Sequence, residues 1–289
     1  MLAFFLALAG TVPSPDVPAT LEREVNAARA GAGVPHVERV RELDAVAATR
    51  AAEAAGLPEE RRFEPKATAE ELLRSAGIGD FLRAWVYLAW QGGYADDAPA
   101  AVANWRAYRP SWERALDPSW RRAGFATAKA ADGTVVIVAL FVEPSPELPG
   151  VEAIERSAFD ALNREREVRG LPALAFDARL AAVARAHSRD MLERGYFSHR
   201  SPEGEGPAAR VTAASIPYRL VAENIAQNVR VKDPTAEAVK QWMTSPGHRE
   251  NVLAREFTRS AVGVAVDVDE RRLVFTQLFL RPLEAAGDE

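Results

Sequence analysis

Apolar and polar positions follow a helical period most clearly between residues 177 and 195. One face of this segment collects apolar and small side chains three or four positions apart: Leu180, Val183, Ala184, His187 and Met191. Asp177 precedes the stripe as a typical helix N-cap, and Gly195 follows it as a typical helix end. The pattern predicts a helix between these two residues with its stripe against a core.

The same kind of pattern predicts a similar order of elements in each half of the chain. First helices are expected at 20–31 and 151–169, and a third helix in each half precedes a tryptophan, Trp105 or Trp242. Each half then closes on two strands around a polar turn, at 124–128 with 134–142 and at 262–268 with 272–280. Because helices and strands do not alternate strictly, the predicted fold class is α+β, built in layers.

The two halves share this order because the chain repeats itself at an offset of 137 residues. The matched positions include residue types that chance pairs rarely: Asn26 with Asn163, Arg29 with Arg166, Gly33 with Gly170, Pro35 with Pro172, and Trp105 with Trp242. A gap of a residue or two is needed only in the last hairpin, before Phe141 meets Phe279. We infer a tandem duplication, with a signal-like segment and linker at 1–18 and domains at 19–146 and 150–284.

Composition narrows the kinds of site this chain can carry. Hydrophobic residues make up 48% and charged residues 27% of its 289 positions, which suits a globular protein with a sizeable core. The net charge of -5, with positive residues scattered, gives no reason to expect a nucleic-acid partner. The chain has no cysteine, so disulfides, zinc–thiolate sites and thiol nucleophiles are excluded.

The first ten residues form a short apolar run that ends in small residues. The run is typical of the hydrophobic part of a secretory signal, although it lacks a positively charged start. A stray apolar strand is the alternative interpretation. We therefore expect a secreted or cell-envelope protein, and no stretch approaches the length of about 18 apolar residues that a transmembrane helix needs.

Residues able to carry chemistry concentrate in three short polar phrases of the second half. The phrases contain His199, Glu223 and His248, the first and last of them beside serine and glycine turns. Two neutral imidazoles and a carboxylate are enough for a site holding zinc or another divalent cation, or for general acid/base catalysis. In the metal-free alternative, Glu223 orients a histidine and Asn224 binds backbone groups.

The three phrases belong to a longer ordered set of motifs. Its pieces are Ala186-His187-Ser188-Arg189-Asp190-Met191, Phe197-Ser198-His199, Ala222-Glu223-Asn224-Ile225-Ala226 and Ser245-Pro246-Gly247-His248-Arg249. In this order they resemble the superfamily of cysteine-rich secretory proteins, antigen-five allergens and plant pathogenesis-related proteins, in its bacterial SCP-like form. The resemblance covers about residues 155–282.

This resemblance implies an α-β-α sandwich with a surface cleft. His199 and His248 would face one another across the cleft beside Glu223, a set that holds zinc or another divalent ion in some members. The family's second cleft glutamate has Arg210 at its equivalent position in this chain. We expect Arg210, Asn224 and Ser198 to support the cleft instead.

Two neighbouring side chains invite a catalytic interpretation that their context disfavours. Ser198 beside His199 suggests a serine hydrolase. Adjacent residues of an extended segment point to opposite sides, however, and the chain has no Gly-x-Ser-x-Gly elbow. Ser198 and Ser245 are therefore predicted to cap turns. His187, on an apolar helix face, is predicted to be a core histidine with a hydrogen-bonded ring.

The first copy lacks the cleft residues. At the offset of 137, Arg62 stands for His199, Val86 for Glu223 and Ser111 for His248. Aromatic residues cluster around Val86, at Trp85, Tyr87, Trp90 and Tyr94. They are predicted to fill the vacated cleft; an apolar groove for a ligand is the alternative.

Three function classes remain open. The favoured one is a noncatalytic binding protein whose cleft takes a small molecule, a lipid, a glycan or a peptide. The second is a metal-assisted, peptidase-like hydrolase that uses His199, Glu223 and His248. The third is an interaction module whose cleft is vestigial. Resemblance in fold does not choose a ligand among these.

Overall fold

A computed structural model describes residues 17–62, 64, 67–91 and 98–283, with the backbone alone at 90, 91 and 98–101. The apolar run at 1–10, Tyr94 and the side chain of Trp90 lie outside the described residues. The chain divides into two compact units, one ending at Pro144 and the other beginning at Ser145. None of the helices in the described part combines the length and apolarity of a membrane span.

The first unit contains the following elements in chain order: α1 (Val17–Gly31), β1 (Glu38–Arg39), α2 (Arg41–Ala55), a 3₁₀ turn (Glu59–Arg61), α3 (Ala69–Ser75), β2 (Phe81–Gln91), α4 (Ala98–Ala107), α5 (Arg109–Ala115), β3 (Arg122–Lys129) and β4 (Val135–Pro144). Helix α1 begins three residues before the predicted helix at 20–31. It therefore takes in the last two residues of the segment assigned to the linker.

The second unit repeats this order: α6 (Val151–Glu167), β5 (Ala175–Phe176), α7 (Ala178–Arg194), α8 (Pro207–Ala213), β6 (Leu220–Val229), α9 (Pro234–Thr244), α10 (Pro246–Leu253), β7 (Arg259–Asp267) and β8 (Arg272–Arg281). The predicted ends of α7 are confirmed. The Asp177 side chain accepts hydrogen bonds from the first turn, and Gly195 closes the helix at a φ of 69°.

Each unit is built around one four-stranded sheet, ordered β1-β3-β4-β2 in the first and β5-β7-β8-β6 in the second. The central strands pair antiparallel, and the short strands β1 and β5 pair parallel. Strands β2 and β6 each form one edge of their sheet. The sequence pattern did not predict these two edge strands, although β6 carries one of the three polar phrases, the one with Glu223 and Asn224.

Helices cover both faces of each sheet, so the predicted tandem α-β-α sandwich is confirmed. In the second unit, one core lies between the sheet and helices α6 and α9 around Trp242, and another lies under α7 around Leu180. Helix α7 approaches β7 so closely that a Cβ on Gly263 would lie 2.0 Å from the backbone nitrogen of Arg185. Only a glycine permits this contact.

Buried side chains repeat from one unit to the other at the level of single hydrogen bonds. Arg166 donates to the carbonyls of Pro172, Val252 and Ala254 over distances of 2.7–2.9 Å. Arg29 makes the matching bonds to carbonyls in the first unit, at Pro35, Ala115 and Asp117. Because each acceptor also lies 137 residues from its counterpart, the duplication extends to the internal scaffold.

Candidate functional site

Strand β6 positions the central carboxylate of the candidate site. Successive side chains of a strand point to opposite faces, so Glu223 and Asn224 enter two different layers. Glu223 lies opposite Leu278 of β8, and Val86 of the first unit lies opposite Leu140 of β4. The sequence alignment placed Val86 at the position of Glu223, and the two sheet registers agree with that placement.

Glu223 uses both carboxylate oxygens within the protein. Its Oε1 lies 2.9 Å from Nδ1 of His199, and its Oε2 accepts a hydrogen bond from Arg210 at 2.6 Å. Only 1% of the Glu223 side chain is exposed, against 48% of His199. A buried, ion-paired carboxylate therefore holds a half-exposed imidazole in place.

Arg210 comes from α8, a short helix that follows the loop carrying His199. Besides the ion pair, its guanidinium donates to the carbonyls of Glu205 and His199. One side chain therefore fixes both the loop and the carboxylate that orients the loop's histidine. The sequence predicted Arg210 as cleft support, but its direct pairing with Glu223 is a finding of the structure.

The two cleft histidines lie side by side. The ring centroids of His199 and His248 are 6.2 Å apart, with 57° between the ring planes. Burial and the neighbouring His199 lower the pKa of His248. His248 therefore stays neutral to a lower pH than a free histidine does, and a neutral imidazole nitrogen is the form that binds a cation.

Asparagines fix the backbone around His248. The Asn224 side chain donates to the carbonyl of His248 at 3.0 Å and accepts from Asn251 at 2.9 Å. Asn251, on the same helix as His248, also donates to the carbonyl of Glu223 at 3.4 Å. The prediction that Asn224 satisfies backbone groups is confirmed, and Asn251 is a supporting residue that the sequence reasoning missed.

His187 is buried behind the site. Its Nε2 lies 3.0 Å from the carbonyl of Ser198, which confirms the predicted core histidine with a hydrogen-bonded ring. The same nitrogen is 3.9 Å from Oε1 of Glu223. Burial lowers the pKa of His187, so at neutral pH its uncharged ring donates to the loop that carries His199.

Ser198 and Ser245 were both predicted to cap turns, and the structure supports this role for only one of them. The hydroxyl of Ser198 accepts a hydrogen bond from the backbone N–H of Arg200, as expected for a turn-forming serine. Ser245 occupies the N-cap position of α10 but makes no side-chain capping bond, so its predicted capping role is wrong. Pro246, at the start of α10, leaves one fewer N–H group there to be capped.

The described residues contain no cluster of three or more His, Asp or Glu side chains arranged to hold a metal ion. Both carboxylate oxygens of Glu223 are engaged, one by His199 and the other by Arg210. The donor set that faces the cleft is therefore two imidazoles, His199 and His248. Two imidazoles fit a weakly held divalent cation with several open positions, rather than a closed structural centre.

The first unit has a different surface at the equivalent place. Arg62 turns to Asp132 in the β3–β4 turn, where the ion pair lowers the pKa of that carboxyl to about 2. Trp85 stacks on Phe141, and Tyr87 stacks on Trp105. A groove of ≈ 620 Å³ lies beside these two rings. Because Tyr94 and the side chain of Trp90 lie outside the described residues, the filling of the cleft by all four aromatic residues stays a prediction.

Comparison with known proteins finds the same architecture in both halves. The model of the Cysteine-rich secretory protein family (CAP) matches residues 22–141 and again 159–279. The Bacillus subtilis (strain 168) protein YkwD, described as uncharacterized, is 37% identical over 130 residues, which cover 45% of this chain and 48% of YkwD. The uncharacterized membrane protein YlbC of the same strain is 36% identical over 127 residues, covering 44% of this chain and 34% of YlbC.

A solved structure adds to these matches. An extracellular protein containing an SCP domain from Bacillus anthracis str. Ames is 28% identical, with a TM-score of 0.40 and 52% of each chain covered. The matched regions span about half of the length of YkwD and about a third of that of YlbC.

Proposed function

Because the chain belongs to the cysteine-rich secretory protein family, with one domain of that family in each half, we propose that it is a noncatalytic binding protein. Its second unit binds a small ligand in the cleft between His199 and His248. The observation that carries this proposal is the engagement of Glu223, whose buried carboxylate positions His199 from behind.

The hydrogen bond to Glu223 sets the chemistry of His199. When Nδ1–H donates to the carboxylate, Nε2 of the same ring keeps its lone pair and can accept a proton or bind a cation. The tautomer follows from this hydrogen-bond partner. His199 thus offers a fixed, basic nitrogen on a half-exposed ring.

A divalent cation fits this cleft through the two imidazoles alone. Two imidazoles that share a tetrahedral zinc have ring centroids about 5 Å apart, roughly 1 Å closer than in this cleft. Small rotations of His199 and His248 would bring their nitrogens together. A cation held there offers its open coordination positions to an oxygen or nitrogen of the ligand.

The contacts of Glu223 favour binding over hydrolysis. A general base must be free to take a proton, whereas this carboxylate is ion-paired with Arg210 and hydrogen-bonded to His199. The nearest hydroxyl in the motif, on Ser198, already accepts a backbone bond. Glu223 therefore acts as an orienting group for His199 rather than as the general base of a hydrolase.

We also propose export to the cell envelope or the medium. The support is the apolar run at 1–10, which is typical of a secretory signal. Fractionation of a producing bacterium with an antibody against the second unit tests this proposal. Protein found only in the cytoplasm would contradict it.

Zinc titration followed by calorimetry at pH 7.5 tests the cleft directly. We expect one zinc ion per chain, bound with micromolar or weaker affinity, and loss of this binding in both His199→Ala and His248→Ala. Glu223→Gln should weaken it by 10- to 100-fold, because a carboxylate behind a ligating histidine tunes that ligand. His36→Ala, at an exposed histidine of the first unit, is the matched control.

Three results would contradict the proposal. Zinc binding that survives in His199→Ala and His248→Ala would place the cation elsewhere. A wild-type chain that binds no zinc would contradict the proposed metal site in the cleft. Zinc-dependent turnover of an ester or peptide substrate, lost in His199→Ala but retained in His36→Ala, would make the cleft a hydrolase site.

A further inference from the structure

Backbone groups along the edge strand β2 of the first unit have no partner among the described residues. In an antiparallel edge strand, alternate residues direct both N–H and C=O away from the sheet. The N–H of Ala84 points outward, to the Glu70 carboxylate at 3.4 Å. By alternation, Val86 and Leu88 also present their N–H and C=O groups outward, and within the described residues no hydrogen bond reaches those groups.

The equivalent strand of the second unit is covered. The side chain of Asn251 donates to the carbonyl of Glu223, and that of Gln241 donates to the carbonyl of Gln227. Residues 223–226 are all buried, whereas residues 86–89 are only half-buried. At the position of Asn251 the first unit has Arg114, whose guanidinium lies over the ring of Trp85.

A groove runs along the open edge. Its floor is made of five consecutive strand residues, Trp85–Ala89, and its volume is ≈ 620 Å³. One side is formed by Asn104, Tyr108 and Ser111, and the other by Arg50 and Ala67. A groove floored by an open edge strand suits an extended chain, which can pair with the strand while its side chains contact the aromatic rings.

Arg50 brings a buried positive charge to this groove. It stands at the position of His187 in the repeat and is only 4% exposed. Its Nη1 has no hydrogen-bond partner among the described residues, and the Glu53 carboxylate lies 3.9 Å away from it. Its Nη2 makes one long bond of 3.4 Å to the carbonyl of Glu64. A buried guanidinium with donors to spare is suited to a carboxylate.

We propose that the groove of the first unit binds an extended peptide, which adds a strand to the outer edge of β2 and places a carboxylate against Arg50. The peptide's main chain bonds to Val86 and Leu88. Alternate side chains, apolar or aromatic, pack on Trp85 and Tyr87. Five paired residues span about 17 Å, so a short segment is sufficient.

Peptide selection on the full chain tests this inference. A display library of random octapeptides is selected for binding, and peptides that also bind a Val86→Pro chain are removed. Proline at 86 deletes an outward N–H without removing a bond to β4, so the sheet should persist. We expect enriched peptides with an acidic residue and alternating apolar positions, and at least a tenfold loss of affinity in Arg50→Met.

Methylation of single peptide nitrogens provides a readout that does not depend on a variant protein folding. In a strand added to β2, only alternate amides donate to the edge, so N-methylation at every second position should abolish binding. Arg61→Met, at an exposed arginine of the same unit, should leave binding unchanged.

Several results would overturn the inference. These are a failure to enrich any peptide, affinity that is indifferent to N-methylation, and equal binding by wild type and Arg50→Met. Binding of a single-chain fatty carboxylate that is lost in Arg50→Met, with no peptide enriched, would assign the groove to an amphiphile instead. Dimerisation of the chain that Val86→Pro abolishes would assign the edge to a second copy.

Discussion

Replacing Glu223 by glutamine removes the negative charge that is paired with Arg210 and hydrogen-bonded to His199. The Glu223 side chain is 1% exposed and that of Arg210 11% exposed. Breaking a buried ion pair by neutralising one partner costs about 3–5 kcal/mol. Arg210 keeps its bonds to the carbonyls of His199 and Glu205, so we expect about 3 kcal/mol for Glu223→Gln.

Two further variants distinguish the energy of the ion pair from that of side-chain packing. Arg210→Met leaves the buried Glu223 carboxylate without its ion-pair partner and should lower the free energy of unfolding by about 4 kcal/mol. The double variant removes both charges, so its cost should fall at least about 2 kcal/mol below the sum of the single costs. Glu155→Gln is the matched control, since Glu155 pairs with Arg185 in the same unit, at the opposite side of α7 from the cleft residues.

Hydrogen exchange as a function of denaturant, read by mass spectrometry, measures the free energy of unfolding of each unit separately. The loss should appear in peptides of the second unit, including β6 and β8, and leave the first unit unchanged. Glu155→Gln should lower stability while leaving zinc affinity as in the wild type. The view of Glu223 as a paired, positioning carboxylate would be refuted by either of two results. One is a loss of stability below about 1 kcal/mol in each single variant, and the other is a loss in the double variant that equals the sum of the two single losses.

Two further predictions use the same measurement. Arg166→Met leaves three carbonyls without a donor and should lower the free energy of unfolding of the second unit by about 3–5 kcal/mol. Arg29→Met should lower that of the first unit alone by a similar amount. A loss of stability in both units from either variant would contradict this prediction. Burial lowers the pKa of His187 in the folded state, so the unfolded chain takes up this proton more readily. The contribution of the neutral ring to the stability of the second unit is therefore complete above about pH 6.5 and is lost as the pH falls below that value. His187→Gln should therefore flatten the loss of stability of the second unit below about pH 6.5, and an unchanged slope would contradict the assignment.

Much of the scaffold could be predicted because the chain contains it twice. Arg29 and Arg166 stand at one offset, and the structure shows why, since each guanidinium binds carbonyls at matching positions. A buried arginine is expensive unless every donor is used, so its recurrence indicates a shared interior. The helix α7 was predictable from both ends, by the cap at Asp177 and the stop at Gly195.

Strand β6 escaped prediction because its pattern is broken by buried polar residues on both faces. Glu223, Asn224 and Asn228 are all buried, so neither face shows the apolar alternation that signals a half-buried strand. The partners that make this burial possible, Arg210 and Asn251, lie far away in sequence. Pairing between distant residues depends on the folded chain and leaves no periodic signal.

The placement of Trp85 and Tyr87 in the first unit was not predictable for a related reason. The aromatic residues around Val86 were counted as volume, but alternation along β2 packs Trp85 and Tyr87 against Phe141 and Trp105, while both rings also line the groove. Their packing stabilises one face of the strand and leaves its edge open. Composition gives the size of side chains, whereas the face on which they lie follows from strand register.

One strand position thus distinguishes the two units. In β6, the edge carbonyls are capped by Asn251 and Gln241, and the buried carboxylate of Glu223 turns an imidazole toward a small cleft. In β2, valine replaces that carboxylate, the edge stays open, and a buried Arg50 supplies charge of the opposite sign. A cation or small polar ligand suits the first arrangement, and an extended anionic peptide suits the second. Because the two surfaces have opposite electrostatic preferences, loss of His199 and His248 should leave peptide binding intact, and Arg50→Met should leave zinc binding intact.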